Sequence, residues 1–478
     1  MEQAPRYRSY DNTVRGYYIV NFGCRAAQAD GSAIERQLSD HGLARVASPE
    51  EAEVVVLNTC TVTSAADQDA RAAVRRVRRQ QPKAKILVTG CYAQRAPEEI
   101  AGLDGVTWVV GNSHKHQIGD IVAGGYGPDF LPLHDFNAGQ NSASSRGTIY
   151  ASDIFAHTEL QAAPVFDGIE RTRPNLKIQD GCDNRCSFCV IPFVRGQSRS
   201  LSTEGILREV EALEHAGYRE IVISGINLGR WGRDFERPEG FPNLLRTILN
   251  HTSIEKLRIS SIEPMDWSDE LIGLMASSPR LAKHAHVPLQ SGSDTILRKM
   301  HRKYRPWHYA EKIEKIRKAM PDAAIGADVM VGFPGETEER FRESLAFIES
   351  LPFTYLHVFT YSPRPGTPAS DMLNQIPVQL AHARNRIMRE AVAAKNTAFR
   401  QSFIGRTLPA ITLAGANTGG TDALTDNYLK VHLESENQPN RWIEVKPTAL
   451  TPQGLAGEVM RPDRSFRDAE SGSVSISA

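Results

Sequence analysis

The chain has 478 residues, 41% hydrophobic and 23% charged, which suits two or three domains with packed cores and excludes a wholly disordered or fibrous protein. Its 56 lysines and arginines are matched by 56 aspartates and glutamates, so a polyanionic partner must be met by local patches rather than by net charge. The opening MEQAPRYRSYDNTVRG has no apolar core of signal-peptide length, and no stretch approaches roughly eighteen consecutive apolar residues. A cytoplasmic protein with no membrane association is expected.

Residues 1–14 are expected to be disordered. Three strand-like runs follow, YYIVNFGC, EVVVLNTC and KILVTGC, ending in Cys24, Cys60 and Cys91. The helical stretches GSAIERQLSDHG and DQDARAAVRRVRRQQP lie between them, and this alternation predicts a parallel, doubly wound sheet over 15–123. Such sheets bind ligands at the carboxyl ends of their strands, where the three cysteines can converge. A single cysteine there is ordinarily a small buried hydrophobe. Three in one structural position, two of them preceded by Gly23 and Gly90, point to a shared site. In the second helix Arg71, Arg75, Arg78 and Arg79 share one face and leave Val74 and Val77 for another. The span 124–170, with AGGYGPDF and NAGQNSASSRG, is expected to be a linker or insertion.

From 171 to 403 six further strand candidates alternate with helices: LKIQDGC, EIVISGINLG, KLRISSIEP, HAHVPLQSGS, AIGADVMVGFPGE and FTYLHVFTYSP. Six β/α units predict an incomplete (β/α)6 barrel, whose site lies at the strands' carboxyl ends. In the helix TEGILREVEALEHAG, Gly217 stands where a cap belongs. The first strand runs into GCDNRCSFC, with Cys182, Cys186 and Cys189. A structural zinc takes four protein ligands, so three leave a position open. Thiolates alone suit zinc or an iron-sulfur cluster, and a 4Fe-4S cluster with one free iron fits the count. Zinc completed by His284 or His286 is the alternative. Beyond an alanine- and arginine-rich helix from about 378 to 403, LPAITLAG, ALTDNYLKVHLE, NRWIEVKPTAL and GLAGEVM predict a small β barrel over 404–460. Residues 461–478 are expected to be a disordered tail.

CxxxCxxC with Phe188 before its last cysteine resembles the cluster loop of radical S-adenosylmethionine (SAM) enzymes, a superfamily built on a six-unit partial barrel. A preceding module with FGCRAAQAD, NTCTVT and VTGCYAQ resembles the methylthiotransferases, which carry two 4Fe-4S clusters. The likeness spans most of 17–460 and includes GCDNRCSFCVIPFVRGQSRS, VPLQSGSDTILRKMHRKY and DVMVGFPGETEE. NTCTVTSAADQDARAAVRRVRRQQP and HVFTYSPRPGTPA are most similar to the bacterial enzymes that modify N6-threonylcarbamoyladenosine (t6A) in tRNA.

The resemblance implies that Cys24, Cys60 and Cys91 hold a first 4Fe-4S cluster and Cys182, Cys186 and Cys189 a second that binds SAM. No catalytic side chain is implied beyond these ligands. One SAM would methylate a sulfur on the first cluster, and another would yield the radical that activates C2 of the base, giving ms2t6A beside the anticodon. Gly225, Gln290, Ser291, Asp328 and Gly332, at strand ends, are candidate SAM contacts. Gly335 reads as an ordinary loop glycine. Arg71, Arg75, Arg78 and Arg79, with Arg298, Lys299, Arg302, Lys303 and Arg305, are candidate contacts to tRNA phosphates, and Tyr304 or Trp307 could stack on a base. The small barrel would be a TRAM-like RNA-binding module, and the partners a tRNA anticodon loop, a flavodoxin-like reductant and a sulfur donor. Within the family the alternatives are isopentenyladenosine in tRNA or a ribosomal-protein aspartate. Outside it they are an iron-sulfur electron carrier or an RNA-binding protein without radical chemistry. One departure is plain: after the first cysteine the family usually has a lysine and then, two residues on, an asparagine, where this chain has Arg25 and Ala27.

Overall fold

The computed structural model describes residues 16–124, 146–157, 160, 172–415 and 419–461. The expected disorder of 1–14 and of the tail beyond Arg461, and most of the expected 124–170 linker, fall outside them. The chain divides into two compact units, residues 1–61 with 65–154, and 62–64 with 155–478.

The first unit is a parallel sheet of β1 (Gly16–Asn21), β2 (Ala44–Arg45), β3 (Val54–Thr59), β4 (Lys85–Gly90), β5 (Val106–Gly111) and β6 (Thr148–Tyr150), in the order β2-β1-β3-β4-β5-β6. Its helices are α1 (Arg25–Asp40), α2 (Ser64–Gln80), α3 (Cys91–Arg95), α4 (Pro97–Ala101) and α5 (Ile118–Ala123). Every residue of β3 is buried, as a central strand covered on both faces must be. Val55, Leu57 and Val88 pack on one side against Val74 and Val77 of α2. Val56 and Leu87 pack on the other against Ile34 and Leu38 of α1 and Ile118 of α5. This is the doubly wound arrangement the sequence predicts, with two differences. Helix α1 begins at Arg25, because extended Cys24 is already its N-cap. Part of the expected linker is a strand, since Trp108, Val109 and Val110 pair in parallel with Thr148, Ile149 and Tyr150.

The second unit begins with β7 (Asn175–Asp180), edged by antiparallel β8 (Arg199–Ser200), and continues through β9 (Glu220–Gly225), β10 (Lys256–Ile259), β11 (His284–His286), β12 (Ala324–Val331) and β13 (Tyr355–Thr360). Parallel pairing runs β7-β9-β10 and β11-β12-β13, and the bridges Leu257↔Leu281 and Ser261↔His286 join the halves into one six-strand arc. Helices α6 (Ile191–Arg195), α7 (Thr203–His215), α8 (Phe241–His251), α9 (Asp269–Ser277), α10 (Asp294–Lys299), α11 (Pro306–Ala319) and α12 (Glu338–Ser350) connect the strands. Ser202, Ser268 and Thr337 cap three of them by accepting a hydrogen bond from the backbone N–H three residues on. Gly217, at φ 87°, ends α7 as expected. Helix α8, which has proline in its first turn, stands between β9 and β10 as the β/α alternation requires.

Helix α13 (Val378–Gln401) leads to β14 (Leu408–Thr412), β15 (Thr421–Thr425), β16 (Lys430–Leu433), β17 (Trp442–Thr451) and β18 (Gly454–Arg461), a closed barrel in the order β14-β15-β16-β18-β17. The single expected strand ALTDNYLKVHLE is two, because Tyr428 turns the chain at φ 65°. That β15–β16 turn docks on the arc. Arg258 donates to the carbonyls of Thr425 (3.2 Å) and Asp426 (3.0 Å), Lys256 pairs with Asp426 at 3.0 Å, and the Tyr428 ring stacks on His284 at 4.2 Å. Lys256 and His284 open their strands, so the turn closes the arc's amino-terminal mouth and leaves the carboxyl ends to the site.

Candidate metal centres

The three-cysteine loop leaves β7 at Asp180 and is pinned at both ends. Buried Asp180 takes Arg195 of α6 at 2.9 Å and 3.1 Å and Lys177 at 2.8 Å. Gly181 has φ 73°, and a Cβ there would stand 2.8 Å from the Gly196 carbonyl, which also accepts the Cys182 N–H. The middle is fixed by Ser187, whose N–H and hydroxyl donate to the carbonyls of Met300 and Lys299 and whose carbonyl accepts the Ala369 N–H.

Two sulfurs receive donors. Asn227 points its amide at Cys182 Sγ (3.7 Å) and Arg302 its guanidinium at Cys186 Sγ (3.3 Å). Burial pushes the Cys189 thiol up to about 12 and raises that of Cys182, and neighbouring Cys186 adds to both. Three thiols crowded this way resist ionising together unless a metal takes their charge, whereas a coordinating thiol is deprotonated outright. N–H donors aimed at the sulfurs are what an iron-sulfur group finds around it. The residues therefore fit such a group.

Beside the loop lies a cavity of about 200 Å³ lined by Phe188, Cys189, Gln290, Met330 and Tyr361 among others. Gln290 is held at φ 66°, a conformation rare outside glycine, with its N–H on the Asp328 carbonyl and its own carbonyl accepting the Met330 N–H. Its side-chain Oε1 and the Tyr361 hydroxyl are buried without partners among the described residues, and burial pushes the Tyr361 phenol up to about 12. Two polar groups waiting in an apolar cavity next to a cysteine suit a ligand with an apolar body and a few polar atoms.

Of the five expected SAM contacts, Gln290 lines this cavity. Gly225 packs on Gln179, whose Oε1 accepts the Asn227 N–H, so it supports the loop from behind. Ser291 is buried and accepts the Ser293 N–H, and Asp328 lies 3.5 Å from His286. Gly332 at φ 77° donates its N–H to Glu336, and a Cβ there would stand 2.5 Å from Ala381. Its role is a tight, packed turn. Phe188, Met330 and Tyr361 were missed as lining residues, although DVMVGF and HVFTYSP place two of them at strand ends. His284 and His286, the possible zinc ligands, are bonded to Tyr355 and Ser261 at 2.6 Å.

In the first unit the register places Asn21 beside Asn58 and Thr59 beside Gly90, so Cys24, Cys60 and Cys91 follow three neighbouring strand ends. Gly23 and Gly90 have φ 95° and 96°. A Cβ on Gly23 would stand 2.9 Å from Cys60 Sγ, and one on Gly90 would stand 2.8 Å from Asn58 Oδ1, so glycine is what lets these loops close on each other. Asn112 donates to Cys91 Sγ at 3.6 Å. Ala27 is buried, and its carbonyl accepts from Asn58 at 2.6 Å. An amide therefore reaches this centre from Asn112, although position 27 has none. Among the described residues no three His, Cys, Asp or Glu side chains are grouped to hold one metal ion. A four-iron cluster distributes its thiolates over separate irons, whereas zinc draws all its ligands to about 2.3 Å or less.

The basic residues divide. Arg75 and Arg79 of α2 are exposed, with Val74 and Val77 buried beneath as expected, but Arg71 is committed to Tyr92 and Glu99, and Arg78 to the Pro82 carbonyl and Asp104. Arg298, Lys299 and Lys303 are exposed, Arg298 pairing with Asp294. Arg302 is corrected: only 7% exposed, it is an internal group shared by Glu263, Cys186 and Tyr304, because the chain turns it inward after α10. Tyr304 is likewise buried, donating to the Leu289 carbonyl, while Trp307 is exposed.

Two family signatures match, "Uncharacterized protein family UPF0004" over residues 16–111 and "Radical SAM superfamily" over 176–348. Threonylcarbamoyladenosine tRNA methylthiotransferase MtaB of Bacillus subtilis is 39% identical over 363 residues, 76% of this chain and 77% of that protein. The Aquifex aeolicus protein of the same name is 34% identical over 88% of this chain and 98% of its own. A tRNA-2-methylthio-N(6)-dimethylallyladenosine synthase of Streptomyces avermitilis is 32% identical over 94% and 88%. Among solved structures, the radical SAM methyltransferase TsrM of Kitasatospora setae, with cobalamin and a [4Fe-4S] cluster bound, is alike in fold, with TM-score 0.51 at 16% identity over 75% of this chain and 77% of its own. The chain belongs to the radical SAM methylthiotransferase family.

Proposed function

We propose that this protein transfers a methylthio group to C2 of N6-threonylcarbamoyladenosine beside the tRNA anticodon, giving ms2t6A. The observation that carries the reading is the pair of three-cysteine groups, each at the carboxyl ends of parallel strands and each one ligand short of a closed site. Cys182, Cys186 and Cys189 would hold one 4Fe-4S cluster, and Cys24, Cys60 and Cys91 the other. When bound, the two supply one-electron cleavage of SAM and a carrier for the inserted sulfur. Arg302 and Asn227 steady the sulfurs of the first trio. Gln290 Oε1 and the Tyr361 hydroxyl meet polar atoms of SAM, while Phe188 and Met330 keep water from the radical. Exposed Arg75 and Arg79 contact phosphates, and the closed C-terminal barrel binds RNA. The relatives named for t6A favour that base over the dimethylallyl one. A tRNA substrate puts the reaction in the cytoplasm, where a reductant and a sulfur donor complete it.

Reconstituted protein with dithionite and SAM is expected to release 5′-deoxyadenosine, and Cys186→Ala to abolish the release. Iron near about eight per chain, falling by about half in Cys60→Ala, is expected for two clusters. Unchanged release from Cys186→Ala would overturn the radical reading and leave an iron-sulfur electron carrier or a plain RNA-binding protein.

A further inference from the structure

The three-cysteine loop is braced by a cationic surface whose exposed leucine neither tRNA phosphates nor SAM explains. Ser187 hangs from the carbonyls of Lys299 and Met300, and His301 bonds the Arg185 carbonyl at 3.2 Å. Arg185, Lys299, His301 and Lys303 are all exposed, and none of Arg185, Lys299 and Lys303 has an acidic partner among the described residues. The Lys299 ammonium lies against Gly335, whose N–H donates to the Asn374 carbonyl at 2.9 Å. Leu373, the next residue back, is 85% exposed. The nearby Asp294 is taken by Arg298 and Arg305, leaving Asp183 and Asp371 as the exposed acids close by in the chain. A cationic rim therefore borders a bare leucine, one residue layer from the ligand loop. Ile296, Met300 and Phe333 pack in one cluster with Met330 and Phe188, two residues of the cavity wall.

From this geometry we infer that the patch docks an acidic one-electron donor protein of the flavodoxin class, a reading that rests on the radical chemistry proposed above. A substrate base has to enter the cavity, whereas an electron need only come close to the ligand loop. The donor's reduced flavin loses one electron to the iron-sulfur group. That electron is consumed when the C5′–S bond of SAM breaks to methionine and the 5′-deoxyadenosyl radical. Transient redox complexes are small and steered by charge, which suits a cationic rim about one apolar contact. The buried Arg302 adds nothing to an RNA face here, and phosphate binding gives the exposed leucine no role.

The test compares wild type with Lys299→Glu/Lys303→Glu and, separately, Leu373→Ser. Binding of oxidised flavodoxin, read by calorimetry on cluster-free and on reconstituted protein, is expected to weaken about tenfold in either variant. Flavodoxin-driven release of 5′-deoxyadenosine should fall in parallel, while dithionite-driven release stays within about twofold in both variants and the Kd for t6A-containing tRNA stays within about twofold in Leu373→Ser, which alters no charge. Weaker tRNA binding with unchanged flavodoxin binding would overturn the proposal and assign the patch to RNA. Unchanged flavodoxin binding and flavodoxin-driven release would also overturn it. Wild type inert even with dithionite would instead overturn the radical reading itself.

Discussion

A methyl group on Gly23 would stand 2.6 Å from Cys60 Cβ, so Gly23→Ala should pry the first trio apart without touching the second. Iron content is expected to fall by about half, with dithionite-driven release of 5′-deoxyadenosine retained. Gln290→Ala, which removes the unpartnered Oε1, should raise the Kd for SAM about tenfold while iron content stays constant, measured by equilibrium dialysis. Phe193 is 51% exposed on α6, just after Cys189, between buried Pro192 and Val194 and anchored through Arg195. If this face stacks the substrate base, Phe193→Ala should lose about tenfold in methylthiolation at unchanged SAM cleavage, with Phe193→Tyr restoring it; equal activity of Phe193→Ala would exclude the contact. The placement of the cysteines was legible, because each follows a strand-like run and the structure sets Cys24, Cys60 and Cys91 after neighbouring strand ends and Cys182 after β7. Gln290 was legible as a strand-end polar residue, but its positive φ was not. Arg302 and Tyr304 were misjudged because a run of basic residues does not reveal which of them the backbone turns inward.

The β15–β16 turn carries the largest correction at the level of elements. Read as a single short strand, it is a hairpin whose Asp426, Asn427 and Tyr428 close the foot of the β/α arc, so the C-terminal barrel also completes the fold of the arc. Tyr428→Ala should cost about 3 kcal/mol in chemical denaturation, typical of truncating a packed aromatic side chain, and should destabilise the arc and the barrel together. Beneath the turn, Glu220 is buried between Arg258 (2.7 Å) and Arg173 (3.3 Å). Burial works to raise its carboxyl pKa, but the two guanidiniums outweigh burial and hold it below the usual range. The pair's contribution is therefore complete above the unfolded carboxylate pKa of about 4.3 and is lost as pH falls toward the lower folded value. Glu220→Gln should flatten the acid limb of a stability–pH profile and lower stability at pH 7 by about 3 kcal/mol. The alternation of strands and helices gave away the arc. The hairpin stayed hidden because ALTDNYLKVHLE has no glycine or proline to mark its turn.

At the scale of the whole molecule, equal numbers of acids and bases leave tRNA binding to a few exposed cations. Arg75→Ala/Arg79→Ala should weaken tRNA binding and lower the slope of log Kd against log salt by about 1 to 2, independent of the modification on the base. Recognition of t6A must come from contacts near the cavity, which the basic surface does not encode. The most direct measurement is mass spectrometry of tRNA nucleosides from cells with and without this gene. Loss of ms2t6A with accumulation of t6A is the expected result. Persistence of ms2t6A with loss of another methylthio product, such as that of isopentenyladenosine, would contradict it.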